Sequence, residues 1–504
     1  MGRLNLVPEA AGQTGNYWCS WDTQFRLNSV EDGKDTKNLR NILTQETLFG
    51  DEGLVSRYFN LIRQDMLVLL DDGWDVPPDT GGNGPVSVFG SLILDENKFP
   101  DFTGTPPQRL LKVRKKMQDL GYKGLGLWIC ANAVGEREAH PDSLEQARAY
   151  WKERAIWCRK AGVDYWKVDW GYHCGDADYR DMMTETVKAF APDLKVEHAV
   201  CMGPLDRIRE DEEITKKRLA CSDYFRTYDI LKEFTYSTTI QRAWDLLKLS
   251  FEPGYGCNCV LNVEDAPYLA AGLGCSMGVM RHPVWGHTQT DVLAFGCKYN
   301  EVERALHWQR IAPPFGIRRT KSMASEKLLE DWTDSLNGPD AQGWVGKINP
   351  VNTGKRLTQS APAILSRNLE IPELSAADGE ELPFTVCSRH PDTGAVSIAF
   401  LPRFLGEQKM VTPQAYCHLP LPSFQKEIGI FGEFAILRIS LDEAVEGRVY
   451  LQDLCRQEAV DVTELVAVNR KELYLDLSKL KEQGFLDNDP GDCSAPGFML
   501  KQVM

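Results

Sequence analysis

Residues 162–169, GVDYWKVD, begin with a glycine and run through apolar side chains to a lysine and an aspartate. A glycine in this place is typical of a helix end, and residues 144–160 before it repeat apolar side chains at helical spacing. A second apolar run, residues 124–129, precedes that helix. A strand, a helix and a strand in this order predict a βαβ unit with two parallel strands.

The same alternation extends in both directions along the chain. Short apolar runs at residues 65–70 and 194–197 are each flanked by amphipathic stretches, and further units reach residue 316. Enough units fit for an α/β fold of the closed (β/α)8 TIM-barrel type, which we predict for residues 1–320. A doubly wound open sheet is the alternative. A Rossmann dinucleotide fold is disfavoured, because no GxGxxG follows the first strand.

The pattern changes in the last third of the chain. Residues 396–401, 434–439 and 472–477 are strand-like runs, and turn-forming clusters such as the PDTG at 391–394 separate them. This pattern predicts a C-terminal antiparallel β-sandwich domain over residues 343–504. Residues 321–342 are then the expected connector between the two domains.

Charge and cysteine content exclude several classes of partner. The chain has 57 Lys and Arg against 72 Asp and Glu, a net charge of −15, which argues against binding nucleic acid or an anionic membrane surface. No apolar run is long enough to span a bilayer. The first residues lack an apolar signal segment, and the 14 cysteines include no CxxC pair. We therefore expect reduced thiols and a cytoplasmic location; assembly into a homo-oligomer stays open.

The residues that follow the predicted strands are of a few chemical kinds. In a barrel of this type, functional groups lie at the carboxyl ends of the strands. Tryptophan faces pack on sugar rings and carboxylates accept hydrogen bonds from hydroxyl pairs, so this set favours a carbohydrate ligand. The set comprises Trp21, Asp22, Asp71, Asp72, Trp128, Asn132, Lys167, Asp169, Glu197, His198, Arg226, Asp229, Asn262, Glu264 and Asp265.

A metal site is the weaker interpretation of the polar residues. His173, Cys174, Asp176 and Asp178 lie close together in sequence, but they mix soft and hard ligands. No HExxH motif and no Cys/His cluster occurs. We expect neither a metal nor an organic cofactor.

Six motifs occur in one order at these strand ends. They are WCSW at 18–21, LDDGW at 70–74, FP at 99–100 with GYKGLGLW at 121–128, GVDYWKVD at 162–169, Glu197, and Arg226 followed by Asp229 and Ile230. Together they resemble the α-galactosidase clan of glycoside hydrolases, families 27 and 36, over about residues 17–230. Gly73 stands where family 27 members usually have a disulfide cysteine.

The resemblance implies two catalytic carboxylates. Asp169 matches the nucleophile and Asp229 matches the acid/base. Because Asp229 follows Arg226 one residue sooner than in the family, Asp223 stays open as the rival acid/base. A retaining pair lies about 5–5.5 Å apart. Lys167 projects to the same side of its strand as Asp169, so its charge is expected to keep Asp169 ionised.

The remaining matches imply sugar contacts. Asp71 and Asp72 match the pair that binds the 4- and 6-hydroxyls, and Trp21 matches the tryptophan that stacks on the ring. Glu197 falls at the position that helps to distinguish the sugar's 2-substituent. The full set of implied substrate-binding residues is Trp21, Asp71, Asp72, Trp128, Lys167, Glu197 and Arg226.

The expected function is a retaining, exo-acting glycoside hydrolase that cleaves terminal α-galactosides by double displacement. The α-N-acetylgalactosaminidase and β-L-arabinopyranosidase activities stay open, because those sugars share most ring contacts. A transglycosylase would use the same residues and differ only in excluding water. A non-catalytic carbohydrate-binding barrel is one alternative of another class. An unrelated barrel enzyme, such as an isomerase or a metal-dependent hydrolase, is another.

Overall fold

The structure is a computed structural model of the whole chain. It describes residues 4–27, 36–80, 91–132, 143–169, 171–199, 212–227, 236–249, 257–280, 299–334, 356–377, 379, 381–405, 409–486 and 494–504. In these residues no helix combines the length and apolar character needed to cross a bilayer.

Eight parallel strands form a closed barrel in sequence order, and the first strand pairs with both the second and the eighth. Closure removes the exposed edges that an open sheet would have. The predicted (β/α)8 fold is therefore confirmed. The strands are β1 (Tyr17–Cys19), β2 (Leu67–Leu70), β3 (Gly124–Ile129), β4 (Tyr165–Val168), β5 (Lys195–Ala199), β6 (Tyr224–Arg226), β7 (Val260–Glu264) and β8 (Ser276–Val279).

Helices alternate with these strands. The structure gives α1 (Trp21–Leu27), α2 (Thr36–Ile42), α3 (Gln45–Phe49), α4 (Leu54–Arg57), α5 (Pro106–Asp119), α6 (Leu144–Ala161), α7 (Ala177–Phe190), α8 (Glu212–Cys221), α9 (Tyr236–Leu249), α10 (Pro267–Leu273) and α11 (Tyr299–Gln309). Short 3-10 turns occupy Arg63–Asp65 and Ile317–Arg319.

The chain around α6 shows how local sequence fixes the direction of a barrel strand. Ser143 accepts a hydrogen bond from the Gln146 backbone N–H at the start of the helix, and Gly162 ends it with φ +70°. A left-handed residue at a helix end is accessible to glycine at little cost. The chain then reverses into β4, whose four residues are all buried. Asp169 follows directly at the carboxyl end of that strand.

The C-terminal region consists of strands in two large sheets and two small ones. The larger sheet has the order β22-β21-β24-β19-β15-β14-β12-β9, and the smaller has the order β13-β18-β20-β23. The strands are β9 (Ser322–Ala324), β10 (Leu328–Asp334), β11 (Arg356–Pro362), β12 (Ile364–Arg367), β13 (Glu373–Ala376), β14 (Phe384–Arg389), β15 (Val396–Leu401), β16 (Arg403–Leu405), β17 (Lys409–Val411), β18 (Ala415–Leu421), β19 (Ile428–Phe431), β20 (Ile436–Leu441), β21 (Arg448–Asp453), β22 (Val460–Asp461), β23 (Glu472–Asp476) and β24 (Gly497–Val503). Two short helices, α12 (Thr463–Val466) and α13 (Leu477–Glu482), lie between its last strands.

One apolar core fills the space between the two large sheets. Leu419 and Ile439 from the smaller sheet belong to the same buried cluster as Ile398 and Ile430 from the larger one. The predicted sandwich is therefore present. Its strands are mostly antiparallel, but β12 with β14, β15 with β19, and β18 with β20 pair in parallel.

Residues 321–342, expected to be a connector, include two strands in the part that the structure describes. β9 pairs with β12, and β10 pairs with β11 along seven residues. The β region therefore begins at Ser322, almost directly after the 3-10 turn that follows the barrel. The expected connector was simply the segment between the two predicted domains, and the polar residues of β10 did not indicate a strand.

Buried arginines join the barrel to the β region. Arg304 of α11 makes a two-fold ion pair with Asp453 of β21, with N···O distances of 3.0 and 3.1 Å. Arg367 of β12 donates to the carbonyls of Leu273 and Gly274 at the end of α10. Those carbonyls have no partner within their own helix, so a cation from the other domain is stabilising there.

Candidate active site

Charged side chains from several strands meet at the carboxyl end of the barrel. Asp71 follows β2, Asp169 follows β4, Arg226 ends β6, and Glu264 ends β7. Parallel strands in a closed barrel bring their carboxyl ends to one rim, so residues far apart in sequence become neighbours here. This group is the candidate active site.

Asp169 lies at the centre of the group. Its backbone N–H donates to the Ile129 carbonyl at 2.9 Å, which continues the ladder between β3 and β4 by one step. Its Oδ1 accepts from Nη2 of Arg226 at 3.1 Å, and its Oδ2 accepts from Nε1 of Trp128 at 3.0 Å. The side chain is still 19% exposed. The carboxylate is thus held by two donors and is also accessible.

The surroundings of Asp169 favour its charged form. Burial by itself would raise the pKa of this carboxyl, but the guanidinium of Arg226 and then the ammonium of Lys167 oppose that effect, and the pKa falls to about 2. We expected Lys167 to be the main cause. The structure gives Arg226 the larger part, because it contacts Asp169 directly.

Arg226 is shared among three carboxylates. Besides Asp169, its Nη1 lies 3.4 Å from Oε1 of Glu264 and its Nε lies 3.8 Å from Oε1 of Glu197. The side chains of Arg226, Glu197 and Glu264 are each 1% exposed. A buried arginine with this many acidic neighbours keeps its position and charge when one of them changes.

Lys167 does not contact Asp169 in the way that Arg226 does. Its Nζ donates to Oδ2 of Asp71 at 2.9 Å, and the pair is almost completely buried. Burial disfavours the charge of Lys167, but Asp71, Cys19 and Asp169 together outweigh burial and hold the lysine pKa well above its ordinary value. The same Asp71 oxygen accepts from the Cys19 thiol, whose pKa burial raises.

Asp72 is held from outside the barrel by Arg40 of α2. Nε and Nη2 of Arg40 both lie 3.0 Å from Oδ2 of Asp72. Among the residues that the structure describes, Oδ1 of Asp72 is buried without a donor. Burial raises the pKa of this carboxyl. The following Gly73 has φ +116°, and a Cβ there would lie 2.8 Å from the Arg40 Cα, so this close approach requires glycine.

Glu197 lies deeper than we expected. Its carboxylate accepts from the hydroxyls of Tyr17 at 3.2 Å and Tyr165 at 2.8 Å, and from the side-chain amide of Asn262. Burial raises the pKa of Glu197. With these donors already bound, Glu197 is part of the buried interior of the barrel below the rim.

The two tryptophans flank this interior. Trp128 is 3% exposed and belongs to a small apolar cluster with Tyr17, Tyr165 and Met280. Trp21 opens α1 and packs, half-buried, against the same cluster. The first strand ends at Cys19, so Trp21 and Asp22, expected to follow it, are the first two residues of the helix.

Of the two candidates for the acid/base, the structure describes Asp223, whereas Asp229 lies outside the described residues. Asp223 precedes β6, so it lies at the amino end of the barrel strands, away from the rim. There it forms an ion pair with Lys188 and accepts from the Val196 backbone N–H at 2.8 Å. The structure does not bring Asp223 to Asp169.

No group of three or more His, Cys, Asp or Glu side chains in the described part of the chain could hold a metal ion. At the sequence positions considered for a metal, the His173 ring stacks on Tyr179 with centroids 3.9 Å apart. Asp176 instead begins α7, where it accepts from the Tyr179 backbone N–H. These contacts are structural.

Several residues of the site were missed by the sequence analysis. Tyr17 and Tyr165 fix Glu197, and Arg40 fixes Asp72. Tyr165 had a detectable signal, because Tyr165, Lys167 and Asp169 alternate along the chain and therefore point to the same face. No sequence pattern pointed to Arg40, because it lies 32 residues before Asp72 and meets it only in the folded protein.

The sequence matches no protein-family model, and no curated protein matches it significantly. Solved structures give three examples of similar chains. A GH27 β-L-arabinopyranosidase from Geobacillus stearothermophilus is 11% identical with a TM-score of 0.45, covering 98% of this chain and 97% of that one. A candidate α-galactosidase from Bacteroides fragilis is 12% identical with a TM-score of 0.40, covering 98% and 80%. A candidate α-N-acetylgalactosaminidase from Bacillus halodurans is 10% identical with a TM-score of 0.43, covering 100% of both chains.

Proposed function

We propose that this protein is a retaining glycoside hydrolase that removes terminal α-galactosyl residues or a closely related sugar. The observation that carries the proposal is the state of Asp169. It is 19% exposed, whereas the described carboxylates Asp71, Glu197 and Glu264 beside it are at most 4% exposed, and its pKa of about 2 keeps it ionised over the whole physiological range. An ionised, positioned carboxylate is what a retaining glycosidase uses as its nucleophile.

In the first step, Oδ1 or Oδ2 of Asp169 attacks the anomeric carbon and the bond to the leaving oxygen breaks. The carboxylate becomes an ester and loses its negative charge. Arg226 then still has Glu264 at 3.4 Å and Glu197 at 3.8 Å to balance its charge. This arrangement lowers the cost of neutralising Asp169, because the buried guanidinium is never left without a counter-charge.

Asp229 is our candidate for the acid/base. In the sequence it follows Arg226, the last residue of β6, by three positions. In the proposal it protonates the leaving oxygen and then activates the water that hydrolyses the ester. Asp223 is not used, because it lies at the opposite end of the strands, paired with Lys188.

The sugar is proposed to lie against Asp71, Asp72 and Trp21. Oδ1 of Asp72 is a buried acceptor that lacks a donor in the described structure, and a buried acceptor of this kind is costly unless a hydroxyl satisfies it. Nζ of Lys167 holds Asp71 in place by donating to its Oδ2 at 2.9 Å. Glu197 is left out of the sugar contacts, because its oxygens already accept from two tyrosines and Asn262.

A panel of nitrophenyl glycosides of both anomers tests the function. We expect turnover of the α-galactoside, the α-N-acetylgalactosaminide or the β-L-arabinopyranoside, with the first-formed product retaining the anomeric configuration by NMR. The substrate with the highest kcat/KM identifies the sugar. Inversion of configuration would contradict the double-displacement mechanism, and no turnover of any member would favour a non-catalytic sugar-binding barrel.

A further inference from the structure

The smaller sheet of the β region has one buried face and one exposed face. Along β18, β20 and β23, every second residue is buried in the sandwich core. The alternate residues point away from that core. We call this surface the outer face; it consists of Glu373, Ser375, Tyr416, His418, Pro420, Ile436, Arg438, Ser440, Glu472, Tyr474 and Asp476.

Two tyrosines stand out on the outer face. Tyr416 is 47% exposed and Tyr474 is 38% exposed. Within the described structure, neither phenol hydroxyl has a hydrogen-bond partner. A ligand can use both parts of such a side chain, the exposed ring for packing and the hydroxyl for a hydrogen bond.

The strand register places the two rings on one diagonal. Tyr416 is opposite Ile436, and Tyr474 is opposite Arg438, two residues further along β20. Two strand spacings across and two residues along correspond to a separation of roughly 12 Å between their Cα atoms. The rings are therefore spaced for an extended ligand of several units.

A groove continues the outer face beside Tyr416. It has a volume of about 430 Å³ and is bounded by the turn from β23 into α13. Its polar lining supplies both donors and acceptors, as hydroxyl groups require. The polar residues that line it are Gln414, Tyr416, Glu433, Asp476, Ser478 and Lys481.

Several charged side chains of this surface have a partner on the surface itself. Arg438 pairs with Glu472 at 2.8 Å, Lys481 pairs with Glu433 at 2.7 Å, and His418 contacts Glu373 at 3.2 Å. The four carboxylates of the outer face and the groove outnumber the two cations, Arg438 and Lys481, which argues against a polyanionic ligand. The apolar side chains of the outer face itself are Ile436, Pro420 and the two rings, which is little for a protein–protein interface core.

Two exposed aromatic rings, polar donors and acceptors, and the lack of a positive excess describe a surface for a hydroxyl-rich polymer that carries no negative charge. We propose that the outer face binds a neutral polysaccharide, with sugar rings packed on Tyr416 and Tyr474 and sugar hydroxyls bonded to Arg438 and the groove. This site is separate from the barrel rim and does not depend on the proposed hydrolysis.

Affinity electrophoresis tests the proposal with the full-length protein carrying Asp169→Asn, so that the polymers stay intact. The gels contain galactomannan, xyloglucan, mixed-linkage β-glucan or, as a polyanion, pectin. We expect at least one neutral polymer to retard migration. The double variant Tyr416→Ala/Tyr474→Ala is expected to need about tenfold more polymer for equal retardation.

Matched variants separate ring stacking from loss of structure. Tyr416→Phe/Tyr474→Phe keeps both rings and should retain most of the binding. Leu328→Ala truncates a side chain that is 60% exposed on another sheet and should bind as the parent protein does. With Asp169 restored, the double alanine variant should hydrolyse small nitrophenyl glycosides at the parent rate, since neither tyrosine is at the rim.

Four results would overturn the proposal. They are the absence of retardation by every neutral polymer, equal retardation of the double alanine variant, retardation by pectin alone, and a change from dimer to monomer in the double variant by sedimentation. The last result would make the outer face an interface between two copies of this chain.

Discussion

Nη2 of Arg226 lies 3.1 Å from Oδ1 of Asp169, although the two residues are 57 positions apart and belong to different strands of the barrel. This contact makes Asp169 an anion despite its burial, and it couples Asp169 to Glu264 and Glu197 through one guanidinium. The chemistry proposed for the rim depends on it.

Replacing Asp169 should abolish turnover while leaving the fold intact. Asp169→Asn keeps the size of the side chain and its contact with Trp128, but it removes the nucleophile. We expect kcat to fall by at least about 10⁴-fold on the best nitrophenyl glycoside. The matched control is Asp223→Asn, which changes a carboxylate at the other end of the strands and should leave kcat within a few-fold while lowering the melting temperature. The reverse pattern would refute the assignment.

Changing Arg226 should move the acid limb of the pH profile. Arg226→Lys keeps a positive charge but loses the Nη2 contact with Asp169, so the carboxyl pKa should rise from about 2. Because this limb of kcat/KM reports groups of the free enzyme, we expect it to shift upward by about one pH unit. Arg226→Met should shift it further if that variant folds. A limb that stays in place in Arg226→Lys would show that another group holds Asp169 ionised.

Asp75 should make the protein less stable as the pH rises toward neutrality. Burial raises its pKa to about 7, with a smaller contribution from Asp72, whereas an unfolded chain releases this proton near pH 4. The folded state therefore binds the proton more tightly, so its contribution to stability is complete below about pH 4 and is lost as the pH passes 7.

Melting temperatures of the parent protein and Asp75→Asn, measured from pH 5 to pH 8, test this sign. The variant keeps an acceptor for the Leu92 backbone N–H, which Asp75 binds at 2.8 Å. We expect it to lose less stability over this range than the parent, by about 3 kcal/mol at most. Parallel curves would mean that Asp75 is already ionised at pH 5.

Breaking the ion pair between Arg304 and Asp453 should destabilise the whole chain. Both side chains are at most 1% exposed, so Arg304→Met removes the cation that contacts both oxygens of a buried carboxylate. We expect a loss of about 3–5 kcal/mol in the free energy of unfolding, measured with urea. The double variant Arg304→Met/Asp453→Leu should recover much of it. A loss in the double variant as large as in Arg304→Met would show that packing, rather than charge, holds this interface.

Strands with continuous apolar runs could be predicted from the sequence. The runs at 124–129 and 396–401 coincide with β3 and β15. The eighth barrel strand, Ser276–Val279, was not identified because it contains small residues. The reason is steric: a Cβ on Gly278 would lie 2.8 Å from the ring of Tyr17, so the neighbouring strand requires glycine there.

The rim could be predicted, but the partners of its residues could not. Strand ends place Asp71, Asp169 and Arg226 on one edge, and sequence position is enough for that. Whether a carboxylate faces a ligand depends on side chains from other strands. Glu197 is buried because Tyr17 and Tyr165 donate to it, and this pairing exists only after the barrel closes.

Trapping the covalent intermediate tests the central claim most directly. A 5-fluoro glycosyl fluoride of the preferred sugar should inactivate the enzyme, since the fluorine slows release of the ester. After digestion with trypsin, which cleaves after Lys167 and Arg180, we expect the added sugar mass on peptide 168–180, with fragmentation placing it on Asp169. A label on any other carboxylate, or turnover without inactivation or label, would contradict the account.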